Sequence, residues 1–231
     1  MKSWSWLLAI AVLAVAPAAW SADAPPAKPP AQRTLYLIRH GEYDYRDSAD
    51  ARVGKHLTKL GREQAGYVAK RLKSLPVKLA AVHTSTLTRA METGDVIGAA
   101  LRLPVTRDSL LSECTPPSSN PAIKYDTPGE ADSAQAQLEA AWAAYVRPPL
   151  EADAHEALVC HGNVIRWFVT KALGADTKQW TNMDIGHCSL TIIIVRANGT
   201  ARLVTFSDVG HLPLEKQTWA GRGPGWGVNQ R

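Results

Sequence analysis

An α/β fold is predicted for this 231-residue chain: a three-layer sandwich with a mostly parallel central sheet, helices on both faces and one antiparallel strand. Three features predict it. Short apolar runs that close on glycine alternate with stretches of helical periodicity, the layout of parallel strands joined by helices. Two of those runs, Thr34–Gly41 and Ala157–Gly162, end in His-Gly. Near the carboxyl end, Leu190–Val195 and Ala201–Phe206 flank Asn198-Gly199, the strongest short hairpin signal, so one of the two should run against the sheet.

In chain order, Lys2 precedes an apolar run from Trp6 to Ala16 and small residues as far as Ala22. That layout predicts a secretory signal peptide over residues 1–22, with a retained N-terminal membrane anchor as the alternative. The run is shorter than the roughly 20 apolar residues of a spanning helix, so the mature form is expected to have no membrane span. A periplasmic or secreted location follows as the expectation. Residues 23–32 are proline-rich and form a stiff linker, because proline removes donors and fixes φ. The folded domain is expected over 33–220, with a flexible glycine-rich tail over 221–231.

Within the domain, Thr58 is placed to cap a helix whose Ala65, Val68, Ala69 and Leu72 recur at helical spacing, and Pro76 ends it. Leu79–His83 reads as a strand turning through Thr84-Ser85-Thr86 into a helix that runs to about Leu101. Such a hydroxyl-rich turn at a helix start attracts phosphate through free backbone N–H groups. Leu103–Thr106 reads as another short strand. The proline-bearing segment Thr115–Gly129 is long for a compact domain and is expected to be a functional flap. A helix from Glu130 to about Val146, the His161 strand and a helix from Asn163 to Leu173 complete the pattern.

Composition narrows the function. A hydrophobic share of 45% and a charged share of 20% fit a globular domain rather than a disordered or membrane-embedded chain. The net charge of +5 is spread over scattered Lys and Arg, with no basic run interleaved with aromatics, so nucleic acid is not an expected partner. Cys114, Cys160 and Cys188 lack CxxC spacing and allow at most one disulfide, with Cys114–Cys188 the pairing left open. His83, His187 and His211 lack metal-ligand spacing and are expected to be structural; neither metal nor cofactor is expected.

Arg39 and His40 stand where a buried strand stops, at the edge where open α/β sheets bind ligands. If the His161 strand lies alongside, two imidazoles and a guanidinium converge on one phosphoryl-sized pocket. Transfer of a phosphoryl group through histidine needs a neutral imidazole, cations on the equatorial oxygens and an acid for the leaving oxygen. His40 is the candidate nucleophile, since Arg39 and Arg89 disfavour its imidazolium. Both arginines suit phosphate oxygens, and His161 is placed as a donor from the opposite side. Glu113 is the candidate acid.

These residues carry a resemblance. Arg39-His40-Gly41, Leu57-Thr58-x-x-Gly61-Arg62-x-Gln64-Ala65, Ser85-x-x-x-Arg89-Ala90-x-x-Thr93, Leu111-x-Glu113 and His161-Gly162-Asn163-Val164-Ile165-Arg166 are similar, in order, to the motifs of the histidine phosphatase (phosphoglycerate mutase-like) superfamily. Within it the chain most resembles the mitochondrial serine/threonine protein phosphatases of the phosphoglycerate mutase family member 5 branch. The resemblance implies a metal-independent phosphomonoesterase with His40 as phospho-acceptor, Arg39, Arg89 and His161 in the phosphate pocket, and Glu113 as proton donor. Phosphorylated proteins or small phosphate esters are the implied partners. The alternatives are a broad small-molecule phosphatase and a catalytically silent phosphate-binding module.

Overall fold

The computed structural model describes residues 29–48 and 54–219. The expected signal peptide, most of the linker and the expected tail lie outside the described residues. Strand β1 (Arg33–Arg39) leads to helix α1 (Lys59–Lys73), then β2 (Ala81–Thr84), α2 (Thr88–Leu101) and β3 (Val105–Arg107). After the flap come α3 (Glu130–Tyr145), β4 (Ala154–Cys160), α4 (Gly162–Ala172), β5 (Leu190–Val195) and β6 (Ala201–Asp208). The sheet order is β3-β2-β4-β1-β5-β6. Strands β1 to β4 pair in parallel, and β5 runs antiparallel to both of its neighbours, β1 and β6, the second pairing being the one the Asn-Gly turn requires.

Strand β1 is buried along its whole length because it sits between two other strands with helices above and below. Its side chains alternate between two cores. Leu35 and Leu37 pack with residues of α3 and α4, including Leu138, Trp167 and Phe168. Tyr36 and Ile38 pack with Ala65, Val68 and Leu72 of α1 and Ile97 of α2. Each fully buried large apolar side chain contributes roughly 1.5–3 kcal/mol, so the strand that ends in His40 is anchored from both faces.

The two halves also explain why no bridge joins Cys114 to Cys188. Both are free: Cys114 packs against the α3/α4 core, whereas Cys188 is buried in the α1/α2 core on the other side of the sheet.

Helix α1 begins as the sequence predicts, with Thr58 Oγ1 accepting from the Gly61 amide at 3.0 Å. The same hydroxyl donates to Glu42 Oε2 at 2.7 Å, tying the helix to the loop after His40. That approach leaves no room for a side chain: a Cβ on Gly61 would lie 1.9 Å from the Glu42 carbonyl oxygen. From β1 the chain passes through α1 on one face, and from β4 it passes through α4 on the other. The carboxyl ends of β1 and β4 therefore open a crevice at a topological switch point. Among the described residues no helix is long and apolar enough to cross a membrane.

Candidate active site

Register brings the two His-Gly turns together. Arg39 pairs with Cys160, and the His40 amide donates to the Cys160 carbonyl at 3.0 Å, so the next residue on each strand, His40 and His161, meets at the crevice. Their ring centroids are 5.1 Å apart. Both rings are buried, at 1% and 0% exposure.

Hydrogen-bond partners assign the His40 tautomer. Nδ1 lies 2.8 Å from the Gly41 carbonyl oxygen, which only accepts, so Nδ1 carries the proton. Nε2 receives the Nε–H of Arg89 at 3.2 Å, and a guanidinium only donates, so Nε2 presents a lone pair. Burial, followed by the charges of His161, Arg39, Arg89 and His187, holds the pKa well below the ordinary histidine value. The imidazole is neutral, its Nε2 lone pair engaged by Arg89 and its ring fixed by the Nδ1–H bond to Gly41.

Arg89 enters from the first turn of α2 and stacks over Tyr43 at 4.9 Å. Thr93, one turn on, locks helix to strand end: its Oγ1 donates to the Arg89 carbonyl at 2.7 Å and accepts from the Gly41 amide at 3.1 Å. Arg39 is buried and gives one N–H to the Ile185 carbonyl at 2.6 Å. Its Nε has no partner among the described residues. His161 has Nε2 2.8 Å from Ser85 Oγ and an unpartnered, buried Nδ1. Desolvation, then Arg89 and Arg39, keep its pKa well below the ordinary value.

Glu113, at the root of the flap, accepts from the Asn163 amide at the start of α4, 3.2 Å away. Asn163 Nδ2 donates to the Cys114 carbonyl at 2.9 Å, which holds the flap root against the crevice. Desolvation raises the carboxyl pKa, although Arg89, Arg39 and Arg166 pull the other way. A carboxyl that resists ionisation beside cations is suited to deliver a proton.

All five residues singled out in the sequence thus contribute to one region, and Arg166 joins their charge field. One residue expected to be structural also lies there. His187 is 1% exposed and its ring centroid is 5.6 Å from that of His40. No local pattern marks it; the turn that delivers it is stitched to the strand end by the Cys188 amide, which donates to the carbonyls of Arg39 (3.1 Å) and His40 (3.2 Å). Among the described residues no group of three or more His, Cys, Asp or Glu side chains is arranged to hold a metal ion.

Fold and site together define an α/β protein built for phosphate-ester chemistry on histidine. The sequence matches the histidine phosphatase superfamily (branch 1) over residues 35–116 and 118–209, and the chain belongs to that superfamily. It is 36% identical over 196 residues to the mitochondrial serine/threonine-protein phosphatase Pgam5 of Caenorhabditis briggsae, covering 82% of this chain and 68% of the relative. The Homo sapiens counterpart is 35% identical over 198 residues, covering 83% and 68%. Among solved structures, YhfR of Bacillus stearothermophilus superposes with a TM-score of 0.61 at 24% identity, covering 78% of this chain and all of its own. A phosphoglycerate mutase of Plasmodium falciparum gives 0.56 at 24% identity, covering 80% and 96%.

The relatives correct one expectation. A periplasmic or secreted protein was expected from residues 1–22, yet the named relatives are mitochondrial. A lysine, a short apolar run and small residues make a segment whose composition alone does not separate one membrane-directed address from another. The anchored alternative rests on the same residues, which lie outside those described.

Proposed function

We propose that residues 33–220 form a phosphatase unit that hydrolyses phosphoserine and phosphothreonine esters of proteins through a phosphohistidine at His40. The observation that carries this reading is the buried, neutral His40 ring with its Nε2 lone pair against the Arg89 guanidinium and the charge of Arg39 close enough to disfavour the imidazolium. Arg39 and Arg89 bind the nonbridging phosphoryl oxygens, and Arg89 passes its hydrogen bond from Nε2 to the incoming phosphate. His161, whose Nε2 is bonded to Ser85 Oγ and whose buried Nδ1 has no partner among the described residues, contacts a phosphoryl oxygen from the opposite side.

His40 Nε2 then attacks phosphorus in line, the ester P–O bond breaks, and Glu113 gives its proton to the departing alkoxide. The Gly41 carbonyl on Nδ1–H stabilises the positive charge that builds on the ring. In the second half, ionised Glu113 takes a proton from water as its oxygen attacks phosphorus. The N–P bond breaks, phosphate leaves, and both His40 and protonated Glu113 are restored.

One observation supports a protein substrate: the relatives at 35–36% identity are serine/threonine-protein phosphatases. Beside the crevice lies an open pocket of about 450 Å³ lined in part by Lys124, Asn163, Arg166 and Trp180. The test is a rapid quench with ³²P-labelled phosphopeptide. An acid-labile adduct mapping to His40 and absent from His40→Ala is expected; label on another residue overturns the reading. Comparing kcat/KM for phosphopeptides and small esters then tests the substrate class.

A further inference from the structure

Resting on the phosphatase reading, we infer that His187 is a third histidine of the phosphate site, whose Nε2–H donates to a nonbridging oxygen of the bound phosphoryl group. Of the seven buried side-chain polar atoms without a partner among the described residues, three belong to residues that adjoin His40 in sequence or in ring contact: Arg39 Nε, His161 Nδ1 and His187 Nε2. The first two belong to groups already assigned to phosphate. An unmet buried polar atom is costly, so three of them on side chains clustered at His40 are positions that a ligand would complete.

The tautomer of His187 follows from its neighbours. Glu42 gives its amide N–H to Gln64 Oε1 at 2.9 Å, which orients the Gln64 amide. Gln64 Nε2 then donates to the Lys216 carbonyl (2.7 Å) and to Thr218 Oγ1 (2.9 Å). Thr218 is 3% exposed, so water does not take up its hydroxyl proton. His187 Nδ1 lies 2.9 Å away and can take that proton. With Nδ1 accepting, a neutral ring must carry its proton on Nε2, and burial keeps the ring neutral. Nε2 lies on the side of the ring away from Thr218, and the rings of His40 (5.6 Å) and Tyr43 (6.3 Å) are its aromatic neighbours. The result is a donor with no protein acceptor among the described residues, in a pocket that also holds the Arg39 and Arg89 guanidinium groups.

His187→Asn and His187→Gln in the full chain separate the two ring nitrogens. Asparagine keeps a partner for Thr218 and removes the far donor, whereas glutamine places an N–H near the position of Nε2. His187→Asn is expected to raise KM for p-nitrophenyl phosphate and Ki for inorganic phosphate roughly 10- to 100-fold, the loss of a hydrogen bond to a charged group, with partial recovery in His187→Gln. Unchanged KM and Ki in a folded His187→Asn protein overturn the inference, while wild type that does not turn over or that equals His40→Ala overturns the phosphatase reading instead. Should the variants fail to fold, ¹⁵N-imidazole NMR of wild type decides: signals of a third ring, protonated at Nε2, that shift with added inorganic phosphate support the assignment, and only His40 and His161 signals shifting overturns it.

Discussion

The Nε–H of Arg89 points at Nε2 of His40 across 3.2 Å. That contact ties the first turn of α2 to the end of β1 and sets a cation beside Nε2, where the proposed mechanism needs one for the phosphoryl oxygens. Lysine at position 89 would keep the charge but not the planar fork. Arg89→Lys is therefore expected to lower kcat/KM for p-nitrophenyl phosphate by about 10²-fold, the scale of losing one aimed donor. Activity within threefold of wild type would remove Arg89 from the mechanism.

Glu113 has a separable role because leaving groups differ in their need for a proton. Glu113→Gln should slow phosphoserine peptides by about 10²- to 10⁴-fold. p-Nitrophenol leaves without protonation, so the first turnover with its ester should survive as a burst, followed by slow hydrolysis of the phosphoenzyme. Stopped-flow absorbance reads both phases; equal losses for the two substrates and no burst would refute a proton-donor role.

The raised pKa of Glu113 also sets a pH limit. In the proposed mechanism the first step uses the protonated carboxyl, so kcat/KM for phosphopeptides should fall as pH rises through that raised value. Wild type should show this alkaline limb and Glu113→Gln should lack it. A limb of the same position in both proteins assigns it elsewhere.

Stability carries its own pH signature. Burial is the leading cause that holds His40, His161 and His187 well below the ordinary value of 6.5. Unfolding returns them to that value, so as pH drops through about 6.5 the unfolded chain binds protons that the folded chain refuses. For these groups stability is flat above the unfolded pKa and is lost below it, by about 1.4 kcal/mol per pH unit for each ring. Urea midpoints measured from pH 8 to pH 5 test the sign; a midpoint that rises toward pH 5 would contradict it.

Gly61 is required by close approach rather than by backbone conformation. A methyl group there meets the Glu42 carbonyl at 1.9 Å, and backbone on both sides has to move. Gly61→Ala should destabilise by at least about 2 kcal/mol, a drop in Tm of roughly 4–8 °C, and should lower kcat because the loop that shifts begins at Gly41. A thermal scan with a p-nitrophenyl phosphate assay checks both.

Much of this architecture is legible in local chemistry. The apolar run before His40, the Thr58 cap and the Asn198-Gly199 turn each act over a few residues, and each appears where sequence predicts. Boundaries moved slightly: the strand expected at Leu103–Thr106 is Val105–Arg107, set by pairing with β2 rather than by its own residues. The 3-10 turns at Ser109–Leu111 and Thr177–Asn182 carry no periodic pattern and went unread.

Sequence by itself determined which segments become strands and helices and that a histidine stands at the end of two strands, because hydrophobic periodicity and capping are short-range. Only the tertiary structure decided that β4 lies against β1, that Cys114 and Cys188 sit on opposite sides of the sheet, and that His187 comes beside His40. Those outcomes depend on how residues distant in the chain compete for the same buried space and hydrogen bonds. The tautomers of the site depend on the same thing, since a ring nitrogen takes its proton from whatever partner packing places next to it.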